Sequence, residues 1–192
     1  MPNPFIQSPF YRRLERDLVE MEELRAQSSI FDFESAGSPP NEYLVTFRGN
    51  GLAGTIQKPF ISELHQARIH LGPDYPQRLP AIIWETPIVH PNIHMHGSPC
   101  FGGFAMSPGV RLVDLMEITW DMIRMAVFNM YNALDKDEPF QILRKTMGFP
   151  VDQRILRDRA PRPAREPEGG TPDIIIMGRQ LRLGRMNDAE ER

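Results

Sequence analysis

His90-Pro91-Asn92-Ile93-His94-Met95-His96-Gly97-Ser98-Pro99-Cys100 is the stretch from which the rest of this chain is best read. It holds the only cysteine of the protein and three histidines, and its Pro-Asn pair marks a turn rather than a continuing strand. Two chemistries suit it. Imidazole and thiolate are preferred zinc ligands, so His90, His94, His96 and Cys100 form a candidate metal set. Zinc ligands usually come as two close pairs, however, and no second Cys/His pair follows; His65 and His70, upstream in apparent strand, could complete a mixed site. Alternatively Cys100 is a nucleophile, with Asn92 a neutral hydrogen-bond donor for the oxyanion formed when a thioester is attacked. An ordinary turn with an incidental thiol is the third possibility.

Upstream, residues 28 to 85 read as a strand meander. Phe31 and Phe33 alternate with polar neighbours, Gly37 to Asn41 supplies a loop, and Tyr43, Val45 and Phe47 resume the period of two. Gly49-Asn50-Gly51 predicts a further break before a third strand between Phe60 and Leu71. Ala81-Ile82-Ile83-Trp84 suits a short fourth strand covered on one face. Successive strands joined by short polar turns predict an antiparallel sheet. Before the sheet, residues 8 to 25 predict a helix, with Ser8 as N-cap, Pro9 at the first position, and Tyr11, Leu14, Leu18 and Met21 as its apolar stripe. Its charges oppose the helix dipole, Arg12, Arg13 and Arg16 coming early and Glu20, Glu22 and Glu23 late. Pairs such as Arg16 with Glu20 on a solvated face would account for them.

Downstream of Cys100, Phe101 to Phe104 and Ser107-Pro108-Gly109 are loop chemistry. Leu112 to Leu134 is the longest helical stretch, its buried face including Leu115, Met116, Ile123, Val127 and Tyr131, with Asp114, Glu117, Asp121, Arg124 and Asn132 opposite. Trp120 and the five methionines between 106 and 130 read as core packing. A shorter helix is predicted from about Phe140 to Met147. The chain changes character from Phe149, and residues 157 to 172 mix Arg, Pro, Glu and Gly as a flexible linker would. Asp173-Ile174-Ile175-Ile176-Met177 is then a β-prone run that would be an edge-pairing hazard if left bare. The expected organisation is one domain over residues 1–149, then a linker and tail over 150–192.

Composition sets outer bounds. A hydrophobic fraction of 41% supports a packed core, and a net charge of −3 gives no general attraction to nucleic acid or anionic membrane. No apolar run approaches the ~20 residues that span a bilayer, and the N-terminus carries no charged-then-apolar signal pattern. One cysteine cannot form an internal disulfide. The cytoplasm is the expected compartment, without nucleic-acid or membrane partners.

Three motifs in register carry a family resemblance. His90-Pro91-Asn92-Ile93, then Gly97, then Cys100 ten residues after His90, resembles the active-site signature of ubiquitin-conjugating enzymes. Asp74-Tyr75-Pro76 with Pro80 is similar to the family's Tyr-Pro segment, Tyr75 standing fifteen residues before His90. Asp137-Glu138-Pro139 resembles the acidic-acidic-proline turn that closes the family's active-site groove. The resemblance covers about residues 8 to 147. It implies an α+β, ubiquitin-conjugating-enzyme-like fold: an N-terminal helix, a four-stranded antiparallel meander, an active-site loop, a long central helix and a shorter C-terminal one.

The resemblance also implies a chemistry: a ubiquitin-like protein passes from an activating enzyme to a thioester on Cys100, then to a lysine amine. Asn92 would stabilise the oxyanion or hold the loop that does, His90 would fix the turn, and Asp137 and Glu138 would position the lysine and ease loss of its proton. No cofactor or metal is implied. Arg12, Arg13 and Arg16 would form the basic face that docks the activating enzyme. Some positions depart from the family: Phe101 and Gly102 follow the cysteine, Pro108 replaces an expected tryptophan, and the interval to Asp137 is longer. Gln77 stands where members carry an aromatic residue against RING ligases. A catalytically silent binding scaffold with the same fold, or the His/Cys metal domain, are the alternatives; the presence of both Asn92 and Cys100 argues against the scaffold.

Overall fold

The computed structural model describes residues 8–55, 57–93, 110–128 and 138–159, with backbone only at 138–141 and 144. Cys100, His94, His96, Asp137 and the run 173–177 therefore lie outside the described residues.

The chain opens with α1 (Pro9–Ala26), capped as expected: the Ser8 hydroxyl accepts from the Tyr11 amide at 3.2 Å, with Pro9 in the first turn. Leu14, Met21 and Leu24 are buried, while Tyr11 and Leu18 are half-buried. The sheet follows as β1 (Phe31–Gly37), β2 (Pro40–Thr55), β3 (Lys58–His70) and β4 (Ala81–Trp84), an antiparallel meander in sequence order. Phe31, Phe33, Tyr43, Val45 and Phe47 turn one face of it inward, and β4 buries Ile82 while exposing Ile83. Against that face lies α2 (Leu112–Ile123), whose Trp120 stacks on Phe47 with ring centroids 6.2 Å apart and planes 9° from parallel. Burying side chains of this size contributes roughly 1.5–3 kcal/mol each. The last helix is α3 (Glu138–Met147), which begins two residues earlier than predicted.

Three expectations need correction. Gly49-Asn50-Gly51 does not break the strand. β2 runs through it with a bulge between Arg48 and Gly51, and the chain reverses only between Thr55 and Lys58. The glycines serve close approach instead. A Cβ on Gly49 would lie 2.6 Å from the Trp120 ring, and one on Gly51 2.5 Å from Ile123 and 2.6 Å from the His65 ring. The long helix expected to reach Leu134 ends at Ile123. Met125 has a positive φ of 62°, and the amides of Ala126 and Val127 turn back to the Asp121 carbonyl. Arg124, expected on the solvent face, is buried; it pairs with Asp121 and donates to the Asp152 carbonyl at 3.1 Å. Apolar residues after Ile123 continue the helical pattern because they are buried in irregular chain, Met125 packing with Leu52, Val89 and Leu143.

The third correction concerns the boundary at residue 149. Residues 150–159 are a strap across the domain rather than the start of a linker. Leu156 is buried in the main core, the Trp120 indole donates to the Arg154 carbonyl at 2.8 Å, and Asp152 accepts from the Asn50 amide at 3.0 Å. Arg157 pairs with Glu117 at 2.7 Å, and the Arg159 amide reaches Gln27, the residue that ends α1.

Candidate active-site frame

The entry to the Cys100 segment is fixed to the sheet. The Val89 amide donates to Leu52 in β2 at 2.9 Å, and the next four residues close a turn in which the Ile93 amide donates to the His90 carbonyl at 3.1 Å. The His90 ring lies inside this turn. Its Nδ1 accepts from the Asn92 backbone amide at 3.0 Å, so that nitrogen carries no proton, and Nε2–H donates to the Val127 carbonyl at 3.0 Å. The ring is therefore neutral and in one tautomer. Burial, only partly offset by the Val127 carbonyl, lowers its pKa to about 4. Asn92 and Ile93 are buried beside it.

These bonds bear on the metal alternative. Both ring nitrogens of His90 are occupied by backbone groups, which leaves that ring no lone pair for a cation. His65 is buried beneath Gly51, with Nε2 2.9 Å from the Ser62 carbonyl and its pKa lowered by burial. His70 is exposed beside Glu42 at 3.4 Å. The described histidines thus sit apart, and among the described residues no group of three or more potential ligands converges.

One residue assigned to the surface in the sequence analysis belongs to the core instead. Arg13 is not part of an exposed basic face. It is buried, its Nε donating to both Asp17 carboxylate oxygens at 3.0 and 2.9 Å and its Nη2 to the Tyr75 hydroxyl at 2.8 Å and the Val110 carbonyl at 2.6 Å. The Tyr75 hydroxyl in turn donates to Asp17 at 2.7 Å. Burial opposes the charge on Arg13, but the bond to Asp17 and the nearby Tyr75 hold its pKa above the ordinary value. Burial and Asp17 push the Tyr75 phenol up. Arg12 remains exposed, and exposed Arg16 pairs with Glu20 at 3.7 Å as expected. The missed signal was Asp17, which lies at helical spacing among Leu14, Met21 and Leu24 and four residues after Arg13. Glu138 opens α3.

A meander backed by two helices, with a His-Pro-Asn turn that follows its fourth strand and is tied to its second, and a Tyr-Pro segment keyed to the first helix, defines a class. It is the α+β fold of ubiquitin-conjugating enzymes. The ubiquitin-conjugating enzyme family model matches residues 13–142, more than half of the sequence, and the chain belongs to that family. Among solved structures it is similar to one described as a novel ubiquitin-conjugating enzyme, at 20% identity and a TM-score of 0.50, over 64% of this chain and 79% of that one. A Plasmodium vivax ubiquitin conjugating enzyme matches at 19% identity and a TM-score of 0.46, over 58% of this chain and 98% of that one. The human ubiquitin-conjugating enzyme E2 G1 matches at 20% and 0.44, over 57% and 90%. Members of the family work with ubiquitin-like proteins, activating enzymes and ligases. Among the described residues, no helix is long and apolar enough to cross a membrane.

Proposed function

We propose that this chain is a conjugating-type carrier, accepting a ubiquitin-like protein as a thioester on Cys100 and passing it to an amine, most simply a lysine side chain. The observation that carries the proposal is the locked His90 turn. A neutral ring bonded to two backbone groups holds Asn92 at the start of the segment that bears the single cysteine. Family membership supplies the reaction class.

In the first step the Cys100 thiolate attacks the thioester carbonyl carbon on the activating enzyme. A carbon–sulfur bond forms, and the activating enzyme's sulfur leaves as thiolate. In the second step the amine attacks the Cys100 thioester through a tetrahedral oxyanion, which collapses to an amide and returns Cys100 as thiolate. Asn92 stabilises that oxyanion or holds the loop that does; removing a comparable donor costs on the order of 2.7–4 kcal/mol. The proton lost by the amine goes to Asp137, Glu138 or water. Arg12 and Arg16 are the residues of α1 offered to the activating enzyme, and the cytoplasm is the compartment assigned.

Cys100→Ala should abolish a reductant-sensitive adduct with the cognate ubiquitin-like protein. Cys100→Ser should yield a longer-lived oxygen ester, because oxygen is the poorer leaving group. An adduct that forms on Cys100→Ala at the wild-type rate would refute the proposal.

A further inference from the structure

Where α2 stops at Ile123, the chain that follows is held from two sides. On one side is the strap of residues 150–159, and on the other the His90 turn. Arg124 meets the strap twice. Its carbonyl accepts from the Val151 amide at 2.9 Å, and its Nη1 donates to the Asp152 carbonyl at 3.1 Å. A little further on, the Val127 carbonyl accepts from His90 Nε2 at 3.0 Å. We propose that Arg124 is a positioning residue for the His90 turn, coupling the C-terminal strap to the carbonyl that holds the imidazole. That this turn serves acyl transfer rests on the carrier reading; the coupling itself is tested without it.

The path between these contacts is not one the chain adopts unaided. Met125 has a φ of 62°, and a residue with a Cβ stays in the left-handed region only where its surroundings over-determine it. Here they do. The Asp121 carbonyl takes the amides of Ala126 and Val127 at 2.8 and 3.2 Å, and the Asp121 carboxylate is gripped by Nε and Nη2 of Arg124, each at 2.8 Å. One buried guanidinium thus joins the residue that gathers those two amides to the carbonyl of the strap. Apolar packing makes the same connection. Met125 lies in a small core with Leu52 and Val89, and Val151 of the strap packs against that core. Val89 immediately precedes His90, and its amide is bonded to Leu52. The strap's other anchors run elsewhere, Arg157 to Glu117 in α2 and the Arg159 amide to the end of α1. They furnish the control.

Hydrogen exchange separates coupling from stability, because loss of global stability exposes every core proton alike and a local opening does not. In the full chain, isotopically labelled for NMR, the His90 Nε2–H is the ring signal that disappears in His90→Gln. The Asn92 amide reports the bond to Nδ1, and the Val45 amide in β2 is the internal reference. Arg124→Met removes the fork, while Arg124→Lys keeps a cation beside Asp121 that cannot grip Asp121 and Asp152 together. Protection of the two turn protons relative to Val45 should fall by about tenfold in Arg124→Met and about threefold in Arg124→Lys, with Arg157→Met near wild type. Should Arg124→Met not fold, Arg124→Lys decides. A wild-type ratio in the folded Arg124 variants, or an equal fall in Arg157→Met, would overturn the proposal. Discharge of loaded protein to free lysine should slow by about threefold or more in the same Arg124 variants. Discharge at the wild-type rate despite a fallen ratio would overturn the residue's bearing on the reaction. A wild-type chain that does not load would overturn the carrier reading alone, because the exchange ratio needs no carrier protein.

Discussion

A histidine ring that accepts from one backbone amide and donates to one backbone carbonyl can do both only when neutral. His90 is such a ring, so its protonation costs the bond from the Asn92 amide and puts a charge in the core. Its folded-state pKa of about 4 lies below the ordinary 6.5, so the neutral ring's contribution to stability is complete above pH 6.5 and lost as the pH falls through 4. At about 1.4 kcal/mol per pH unit, the loss across that window is roughly 3 kcal/mol. His65 is also held neutral by burial, so wild type alone would report both rings. The difference in urea-unfolding free energy between wild type and His90→Gln isolates one of them. It should shrink as the pH is lowered from 6.5 to 4; a constant difference would show that the ring does not titrate with folding. The His-Pro-Asn turn was legible because its residue types are rare at that spacing. Arg13 was not, since an arginine in a charged helix is ordinarily solvated and only the partners it meets across the fold reveal otherwise.

Among the elements, α1 carries two populations of arginine that look alike in the sequence. Arg12 and Arg16 face solvent, and Arg13 faces the core. Reversing only Arg12 and Arg16 to glutamate should therefore slow loading by the activating enzyme while leaving discharge to free lysine unchanged. Stability should stay within about 0.5 kcal/mol, as for most surface substitutions. Unchanged loading, or equal losses in loading and melting temperature, would remove this face from docking. Most of the strands and the starts of α1 and α2 were readable from period and capping, with Ser8 before Pro9 the clearest case. The ends of elements were less so, for two physical reasons. Glycine marks a break in isolation, yet Gly49 and Gly51 lie within a continuous strand because Trp120, Ile123 and His65 leave no room for a Cβ. Apolar residues mark a helix face, yet Met125, Ala126 and Val127 are buried without being helical. Both depend on what packs against the segment, which local pattern does not contain.

For the molecule as a whole, the question is what the C-terminal region adds to the domain. The strap of residues 150–159 completes the burial of Trp120, supplies the carbonyl that Arg124 needs and ties back to the end of α1. Cutting the chain after Phe149 should cost about 3 kcal/mol or more, from the burial of Leu156 and the hydrogen bonds lost, and lower Tm by roughly 10 °C. Cutting after Arg159 leaves the strap and removes the β-prone run Asp173–Met177. The domain's own sheet has little to offer that run. At the open side of β1, Ser28 and Asp32 side chains already take the Phe31 and Phe33 amides. On β3, Pro59 has no amide hydrogen and the Ser62 hydroxyl accepts from the Leu64 amide, while β4 is only four residues long. Strand addition is therefore expected on another chain rather than on this one. The shorter deletion should leave Tm within about 2 °C and Cys100 loading intact, but weaken self-association or binding to a pathway protein, as measured by sizing alone and with candidate partners. A large fall in Tm would instead place the run on its own domain, and no change in Tm, assembly or binding would make the tail a passive extension.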